Sequence, residues 1–368
     1  MRKSWFNVFG VGCIIVALLA MGCGTDPKND TALADETAAP EQENEVSDAG
    51  DDAENPKEDS NKLVSEKDIH IGVTSMTLKE VVYGFVNEAM VKRAQEYGNV
   101  TVDWVACEND ASVQMSQVEG YIQQGVDIII IEPARSDACV KMVEACNDAG
   151  IPVINMNAAI TGIQVDYRVD SNSELVGQMQ VEKFVELYGT DKPAKVAVIG
   201  GSVGDECAET ITKAVQEACE KYDNIEVVLT QMHQNWDRQL AMNTMENLCV
   251  QYPDLNAIFS NNDTMALGCM KAAQDAGVAD NIYFFGADWD QDSAELILGG
   301  ATNLYVVNKG ANDQGIKMVD TAVDIANGRE PAYDEEVDGT KIKYSVMSMV
   351  GPENINEEVQ AKYPELLK

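Results

Sequence analysis

The sequence is poor in histidine and in basic residues, and each shortage excludes a class of function. Its 368 residues include only two histidines, His70 and His233, and neither stands beside a nucleophile motif, which argues against an enzyme. Lys and Arg number 26 against 62 Asp and Glu. The resulting formal net charge of −36 excludes nucleic acid as a partner, because phosphate binding needs a basic face. Acidic proteins stay soluble and monomeric, and we expect a monomer.

Motifs for metals and phosphate-bearing cofactors are also missing. The glycine-rich segment 200–204 lacks the Lys-Ser/Thr pair of a phosphate loop and is interpreted as a turn that enters a helix. The nine cysteines show no CxxC or Cys/His spacing. Those beyond Cys23 fall mostly in helical or strand patterns, and we expect them to be unpaired and buried as small hydrophobes. The sequence therefore predicts no metal and no cofactor.

The first 67 residues differ from the rest of the chain. A basic start, Met-Arg-Lys, is followed by an apolar stretch over residues 8–21, which is shorter than the roughly 20 residues of a membrane-spanning helix. This pattern predicts an export signal over residues 1–22. The segment 19–23, Leu-Ala-Met-Gly-Cys, resembles a bacterial lipobox. The resemblance implies an extracytoplasmic protein that is anchored to the cell membrane by a lipid on Cys23. The alternative is an ordinary secretion signal.

Residues 23–67 form an acidic segment with almost no aromatic or branched apolar side chains. Such a segment cannot bury enough apolar surface to fold, so we predict a disordered tether. From residue 68 onward, short apolar runs such as 69–73, 126–131 and 195–199 alternate with amphipathic segments such as 113–124 and 238–251. Regular alternation of this kind predicts an α/β fold with doubly wound parallel sheets. Two sheets of five or six strands each require two lobes, with a ligand crevice at the carboxyl ends of the strands.

Polar motifs follow the predicted strands in a characteristic order. They occupy residues 132–138, 170–172, 236–238, 261–268, 286–288 and 308–314. Together they resemble the type 1 periplasmic sugar-binding proteins, the ribose- and galactose-binding branch, from about residue 69 to about residue 350. The segment 261–268, Asn-Asn-Asp-Thr-Met-Ala-Leu-Gly, is the most specific part of the resemblance.

The resemblance implies an architecture and a function. Two doubly wound lobes are expected to be joined by a hinge of three crossings, near residues 170–174, 308–310 and 338–341. The first lobe comprises 68–171 and 309–338, and the second comprises 172–308 and 339–368. The implied function is to capture a small polar ligand and to deliver it to the membrane subunits of an ABC importer. A monosaccharide is the first candidate for this ligand. A sugar sensor for a membrane receptor is the alternative role. A sugar-responsive repressor is excluded, because a signal and an acidic segment replace the DNA-binding domain.

The family pattern also assigns roles to individual residues. Trp236 is expected to stack on the sugar ring, and Asn262 and Asp288 to bind hydroxyl groups. The remaining expected contacts are Asn308 at the hinge, Glu80 and Asn157 on the first lobe, and Asp205 on the second lobe.

Three of these residues have structural alternatives. Trp236 is also a candidate packing residue at the start of a helix. Asn262 and Asp263 are both candidate N-caps, and we assign the cap to Asp263 and the ligand to Asn262. Asp288 is a candidate N-cap for the helix that begins near Asp292.

The sequence departs from the family pattern in the charge of its crevice. Glu209 stands where an arginine is usual, and Asn157 and Ala158 replace an Asp-Arg pair. Five carboxylates are predicted around the crevice, namely Glu80, Glu132, Asp205, Glu209 and Asp288, with Arg135 and Lys309 as partial compensation. Two ligand classes therefore stay open. One is a neutral sugar or polyol, and the other is a cationic ligand, such as an amino sugar or small amine, held by carboxylates and by a cation–π contact with Trp236.

Overall fold

The computed structural model describes residues 63–78 and 81–367. The strands are β1 (Ile69–Ser75), β2 (Val100–Ala106), β3 (Ile128–Ile131), β4 (Val153–Met156), β5 (Tyr167–Asp170), β6 (Ala194–Gly200), β7 (Ile225–Met232), β8 (Leu255–Ser260), β9 (Tyr283–Ala287), β10 (Leu304–Asn308), β11 (Glu335–Val337), β12 (Thr340–Tyr344) and β13 (Ser348–Val350). The helices are α1 (Val81–Tyr97), α2 (Ala111–Gln124), α3 (Val140–Ala149), α4 (Ser173–Tyr188), α5 (Glu206–Cys219), α6 (Arg238–Gln251), α7 (Asp263–Asp275), α8 (Gln291–Leu298), α9 (Ala311–Ala326) and α10 (Ile355–Lys362). No helix in these ranges has the length and apolarity needed to cross a membrane.

The strands form two sheets, one for each lobe. The first sheet has the order β11-β12-β5-β4-β3-β1-β2, and the second has the order β13-β10-β9-β8-β6-β7. Pairing is parallel in both sheets except at β11 and β13, which are antiparallel edge strands. The predicted α/β class with two doubly wound sheets is confirmed.

Each sheet is covered by helices on both faces, which explains the continuous apolar runs in the sequence. In β3, Ile128 and Ile130 pack into the core beneath α1 and α9, whereas Ile129 and Ile131 pack into the core beneath α2 and α3. All four side chains are fully buried. A strand that is buried on both faces favours apolar side chains at successive positions, so the alternation of a half-exposed strand is lost.

The chain crosses between the lobes three times, and Ser345 links the crossings. Its backbone N–H donates to the carbonyl of Asp170 at the first crossing, at 2.8 Å. Its hydroxyl donates to the carbonyl of Lys309 at the second crossing, at 2.5 Å. Gly310 has a φ of 71°, and a Cβ there would lie 2.2 Å from the carbonyl oxygen of Val346, so this position requires glycine. The third crossing is therefore bonded directly to the first and to the second.

Two predicted boundaries need correction. The sequence analysis placed residues 339–344 in the second lobe, but β12 pairs with β5 of the first sheet, so the third crossing follows Tyr344. Residues 63–67 were predicted to belong to the tether, but they bind the first lobe. Asn99 Nδ2 donates to the carbonyl of Lys67 at 2.8 Å, and the backbone N–H of Glu66 donates to Asn327 Oδ1 at 3.2 Å. Their backbone has partners in the folded lobe, which the acidic composition did not reveal.

The seven cysteines in the described part of the chain are all unpaired. Cys107, Cys139, Cys146, Cys219 and Cys269 are buried, and Cys207 and Cys249 are half-buried. Burial raises the pKa of the Cys139 and Cys146 thiols to about 12, which keeps them protonated. The predicted role of most of these cysteines as small buried hydrophobes is confirmed.

Candidate ligand-binding site

A cleft of about 920 Å³ lies between the lobes, and the loops after β1 to β10 all contribute to its walls. These loops sit at the carboxyl ends of parallel strands, where the sequence analysis placed the crevice. The predicted site residues Asn157, Asp205, Trp236, Asn262 and Asp288 all line it. The fold thus brings together side chains from both lobes.

Glu132 organises the wall of the first lobe, where it is almost fully buried. Its Oε1 accepts hydrogen bonds from the Tyr83 hydroxyl at 2.5 Å and from Asn157 Nδ2 at 2.8 Å, and its Oε2 accepts one from the backbone N–H of Met76 at 3.3 Å. Gln314 Nε2 in turn donates to Asn157 Oδ1 at 2.6 Å. The network fixes the orientation of the amide and carboxylate groups on this wall.

Arg168 lies behind the same wall, and the sequence analysis did not identify it. Its Nε donates to the carbonyl of Asn157, and its Nη2 donates to Asp170 Oδ2, both at 2.5 Å. Burial raises the pKa of Asp170 to about 6, although the charge of Arg168 opposes this shift. The one available sequence signal was spacing, because Arg168 stands two residues before Asp170 and therefore projects from the same face of β5.

Trp236 lines the wall of the second lobe and also packs against the core of that lobe. Asn235 and Trp236 both have left-handed backbones, with φ values of 61° and 54°. The backbone N–H of Asn235 donates to the Ser202 hydroxyl at 2.8 Å. A Cβ on Gly201 would lie 2.5 to 2.7 Å from three atoms of the indole, so the ring face rests directly on this glycine. Gly201 and Ser202 therefore fix the position of Trp236.

The start of α7 requires a correction. Asn262, not Asp263, is the N-cap, because its Oδ1 accepts from the backbone N–H of Met265 at 3.0 Å. The carboxylate of Asp263 turns inward and is fully buried, where its Oδ2 accepts from the Asp290 backbone N–H at 2.8 Å and from the Ser293 hydroxyl at 3.0 Å. Burial raises the pKa of Asp263 well above its usual range. Asn262 caps the helix and also lines the cleft.

Asp288 and Lys309 form an ion pair across the floor of the cleft. Lys309 Nζ lies 2.7 Å from Asp288 Oδ1, and both residues line the cleft. Burial alone would lower the pKa of Lys309, but the nearby negative charge of Asp288 outweighs it and raises the pKa. Asp288 is not a helix cap, because Asp290 caps α8. The cleft is therefore lined by a lysine whose charge is stabilised by Asp288.

Asp205 and Glu209 use part of their carboxylates within the second lobe. Asp205 Oδ1 accepts from the backbone N–H of Ala208 at 3.1 Å and caps α5. Glu209 Oε1 accepts from the backbone N–H of Gly204 at 2.8 Å. Both residues line the cleft. Asp205 is therefore the N-cap of α5 and also a residue of the cleft wall.

One predicted ligand contact, Asn308, is not among the described residues that line the cleft. Asn308 is turned away, because its Nδ2 donates to Glu358 Oε2 at 3.2 Å and its Oδ1 accepts from the backbone N–H of Gly310 at 3.0 Å. Its neighbour Lys309 occupies the cleft instead. Glu80 lies outside the described residues. Trp289, beside Asp288, is fully buried in the second-lobe core.

Within residues 63–78 and 81–367, no group of three or more His, Cys, Asp or Glu side chains is arranged to hold a metal ion.

Comparisons with known proteins agree with this geometry. A family model of the periplasmic binding protein domain matches residues 71–330. The ribose import binding protein of Bacillus subtilis is 32% identical over 237 residues, which cover 63% of this chain and 74% of that protein. The ribose import binding protein of Escherichia coli is 28% identical over 264 residues, which cover 71% of this chain and 86% of that protein. The solved structure of an ABC transporter solute-binding protein from Bacillus halodurans, with bound myo-inositol, is 31% identical and has a TM-score of 0.69, covering 81% of this chain and 99% of that one.

The matched family consists of substrate-binding proteins and not of enzymes. The interlobe cleft, the two doubly wound sheets and the sequence similarity all lead to one assignment. The chain belongs to the type 1 periplasmic sugar-binding proteins that serve ABC importers.

Proposed function

We propose that this protein captures one neutral monosaccharide or cyclic polyol between its lobes and delivers it to the membrane subunits of an ABC importer. The ion pair between Asp288 and Lys309 carries the neutral assignment, because it neutralises a carboxylate that lines the cleft. A buried carboxylate that already has a cation does not require a charged ligand.

Other carboxylates around the cleft are also compensated. Arg168 pairs with Asp170 and lies 3.0 Å from Glu206. Arg135 pairs with Asp137 at 2.8 Å. Among the carboxylates that the sequence predicts around the cleft, Asp288 has a cation partner in Lys309, and Arg168 adds a cation that the sequence did not indicate.

The remaining groups suit a ring with several hydroxyls. Asp288 offers acceptors, Lys309 offers donors, and Asn262 offers an amide at the cleft. Trp236 adds an apolar aromatic surface for the C–H face of a ring. Two relatives have ligands of this chemistry, since the Bacillus subtilis protein is a ribose import binding protein and the Bacillus halodurans structure contains bound myo-inositol.

A cationic ligand is the second candidate, and Asp205 and Glu209 favour it. Both carboxylates line the cleft without a cation in contact among the described ion pairs, and Trp236 lies in the same wall. Lys309 opposes this candidate, because it places a positive charge in the lining of the cleft. A sugar sensor that reports to a membrane receptor would use the same cleft.

We further propose that the protein is a monomer, exported and held at the cell membrane by a lipid on Cys23. The lipobox resemblance at residues 19–23 supports the anchor, and the acidic composition of the following residues supports a tether up to about residue 62. The lobes would then be free to meet both solute and importer.

Thermal unfolding of the full chain in mild detergent tests the ligand class. The probes are ribose, xylose, glucose, xylitol and myo-inositol, with glucosamine and small amines as cationic probes. A ligand at about 100 times its Kd adds roughly 2.7 kcal/mol, which raises Tm by about 5–11 °C at 2–4 °C per kcal/mol. A rise with neutral probes alone supports the proposal. A rise with amines alone supports the cationic candidate, and no rise with any probe contradicts both.

Membrane fractionation tests the anchor. Replacement of Cys23 by serine is expected to move the protein from the membrane fraction to the soluble fraction. Cys13→Ser is the matched control, because Cys13 lies within the apolar stretch of the signal and is expected to have no effect. Retention of the Cys23→Ser variant in the membrane fraction would contradict lipidation.

A further inference from the structure

One carboxylate of the second lobe binds directly to the first lobe across the cleft. Glu206 is the first residue of α5, and its Oε2 accepts two hydrogen bonds from the other lobe. One comes from Arg168 Nη2 at 3.0 Å, and the other from the backbone N–H of Ala159 at 3.2 Å. Neither donor is near Glu206 in sequence, so the contact depends on the approach of the two lobes.

The first-lobe side of this contact is held in place independently of Glu206. Asn157 and Asp170 accept two of the guanidinium hydrogen bonds of Arg168, and both are first-lobe residues. The Arg168 side chain is 11% exposed, whereas that of Glu206 is 41% exposed. Arg168 therefore presents an N–H group that its own lobe holds in place, and the more exposed glutamate binds this group when the lobes meet.

We propose that Glu206, which lines the cleft, is a positioning residue that stabilises the closed arrangement of the lobes through its bonds to Arg168 and Ala159. The inference rests on the proposed capture of a ligand between the lobes. When the lobes separate, Glu206 loses both donors and its carboxylate returns to water. The contact therefore adds to the stability of the closed state alone, and it biases the equilibrium between open and closed molecules.

This role has a kinetic consequence. A ligand leaves only after the lobes open, and opening breaks the contacts of Glu206. Loss of these contacts should increase the dissociation rate constant and leave the association rate constant nearly unchanged. It should also weaken every ligand by the same factor, whereas loss of a direct ligand contact would weaken different sugars by different factors.

The size of the effect follows from the exposure of the pair. Charge-assisted hydrogen bonds are stronger than neutral ones, but a partly exposed ion pair is weakened by solvent. We expect about a threefold loss of affinity in Glu206→Gln, which keeps one acceptor oxygen, and about a tenfold loss in Glu206→Ala.

The first experiment measures binding of ribose and myo-inositol to the full chain by titration calorimetry and stopped-flow tryptophan fluorescence. Glu217→Gln and Glu217→Ala are the matched controls, because Glu217 lies on the same helix but pairs with Lys213 of its own lobe. We expect the same fold loss of affinity for each sugar that binds, and we expect this loss to arise from a larger dissociation rate constant. The controls should lose no affinity. Unequal losses, a change confined to association, or unchanged binding would overturn it.

A second experiment separates this inference from the proposed function. Amide hydrogen exchange of Ala159 in the ligand-free protein reports directly on its bond to Glu206. We expect faster exchange in Glu206→Ala than in Glu217→Ala. If no sugar binds the wild-type protein, the ligand proposal fails while faster exchange still supports the interlobe contact. Equal exchange in the two variants, both without ligand and with any sugar that binds, would overturn the role of Glu206.

Discussion

Replacement of Lys309 by methionine tests the charge balance of the cleft. Lys309 Nζ lies 2.7 Å from Asp288 Oδ1, and the two side chains are 16% and 23% exposed. Methionine keeps the length and apolar character of the lysine stem and removes only the charge and its donors. The variant therefore leaves Asp288 with no cation at this position.

The expected loss of stability follows from the burial of the pair. Removal of one partner from a buried ion pair costs about 3–5 kcal/mol, because the other charge is left without compensation. Asp288 retains some contact with solvent, so we expect a lower value of about 2–3 kcal/mol. At about 2–4 °C per kcal/mol, Tm should fall by about 4–12 °C.

The same change should shift the ligand preference towards cations. In the wild-type protein Lys309 repels an ammonium group, and in the variant Asp288 is available to bind one. Two unit charges about 5 Å apart interact by about 3 kcal/mol at an effective dielectric constant of 20. This energy corresponds to about a hundredfold change in the ratio of affinities for an amino sugar and its neutral parent.

Titration calorimetry with glucose and glucosamine, and with any other neutral sugar that binds, measures this ratio. Lys271→Met is the matched control, because Lys271 is an exposed residue of α7 that pairs with Asp275 on its own helix. The control should leave both Tm and the affinity ratio nearly unchanged. A Lys309→Met variant with an unaltered ratio, or with wild-type stability, would refute the assigned role of the ion pair.

Two further predictions concern packing and pH. Gly201→Ala should push the Trp236 indole by about 1 Å and weaken sugar binding about tenfold, as measured by calorimetry. Gly120→Ala is the control and should leave the affinity unchanged, because no atom lies within 4 Å of its new Cβ. Equal affinities of the two variants would contradict the role of Gly201. Burial lowers the pKa of Lys362 to about 8 in the folded protein, whereas in the unfolded chain this lysine has its usual pKa of about 10.4. The folded protein thus binds fewer protons between these values, and the free energy of unfolding should rise by about 1–2 kcal/mol between pH 7.5 and 9.5. Urea unfolding should show a smaller rise in Lys362→Met, and equal rises would show that this lysine is not buried in solution.

The sequence was sufficient for the fold because burial on both faces of a sheet leaves a strong local pattern. The run that became β3 contains four consecutive isoleucines, and no other element explains such a run between two amphipathic helices. The edge strand β11 was missed for the opposite reason, since all three of its residues are exposed and carry no apolar pattern.

The cleft was predictable in its location but not in its charge. Adjacent residues Asn262 and Asp263 are both good caps, and the choice between them depends on partners of Asp263 that lie 27 and 30 residues further along the chain. The contact between Arg168 and Glu206 likewise joins residues 38 positions apart. Local sequence carries propensity and periodicity, whereas such pairs form only when the lobes have their final arrangement.

The linkage of the three crossings by Ser345 limits how the lobes can move. Twisting one crossing relative to the others would break the hydrogen bonds of Ser345 to Asp170 and Lys309, and would press Gly310 against the Val346 carbonyl. The lobes are therefore expected to move about one axis, with a single rotational degree of freedom. One degree of freedom gives every closed molecule the same relative alignment of its two rims. A membrane subunit then needs only one complementary surface to distinguish a loaded protein from an empty one.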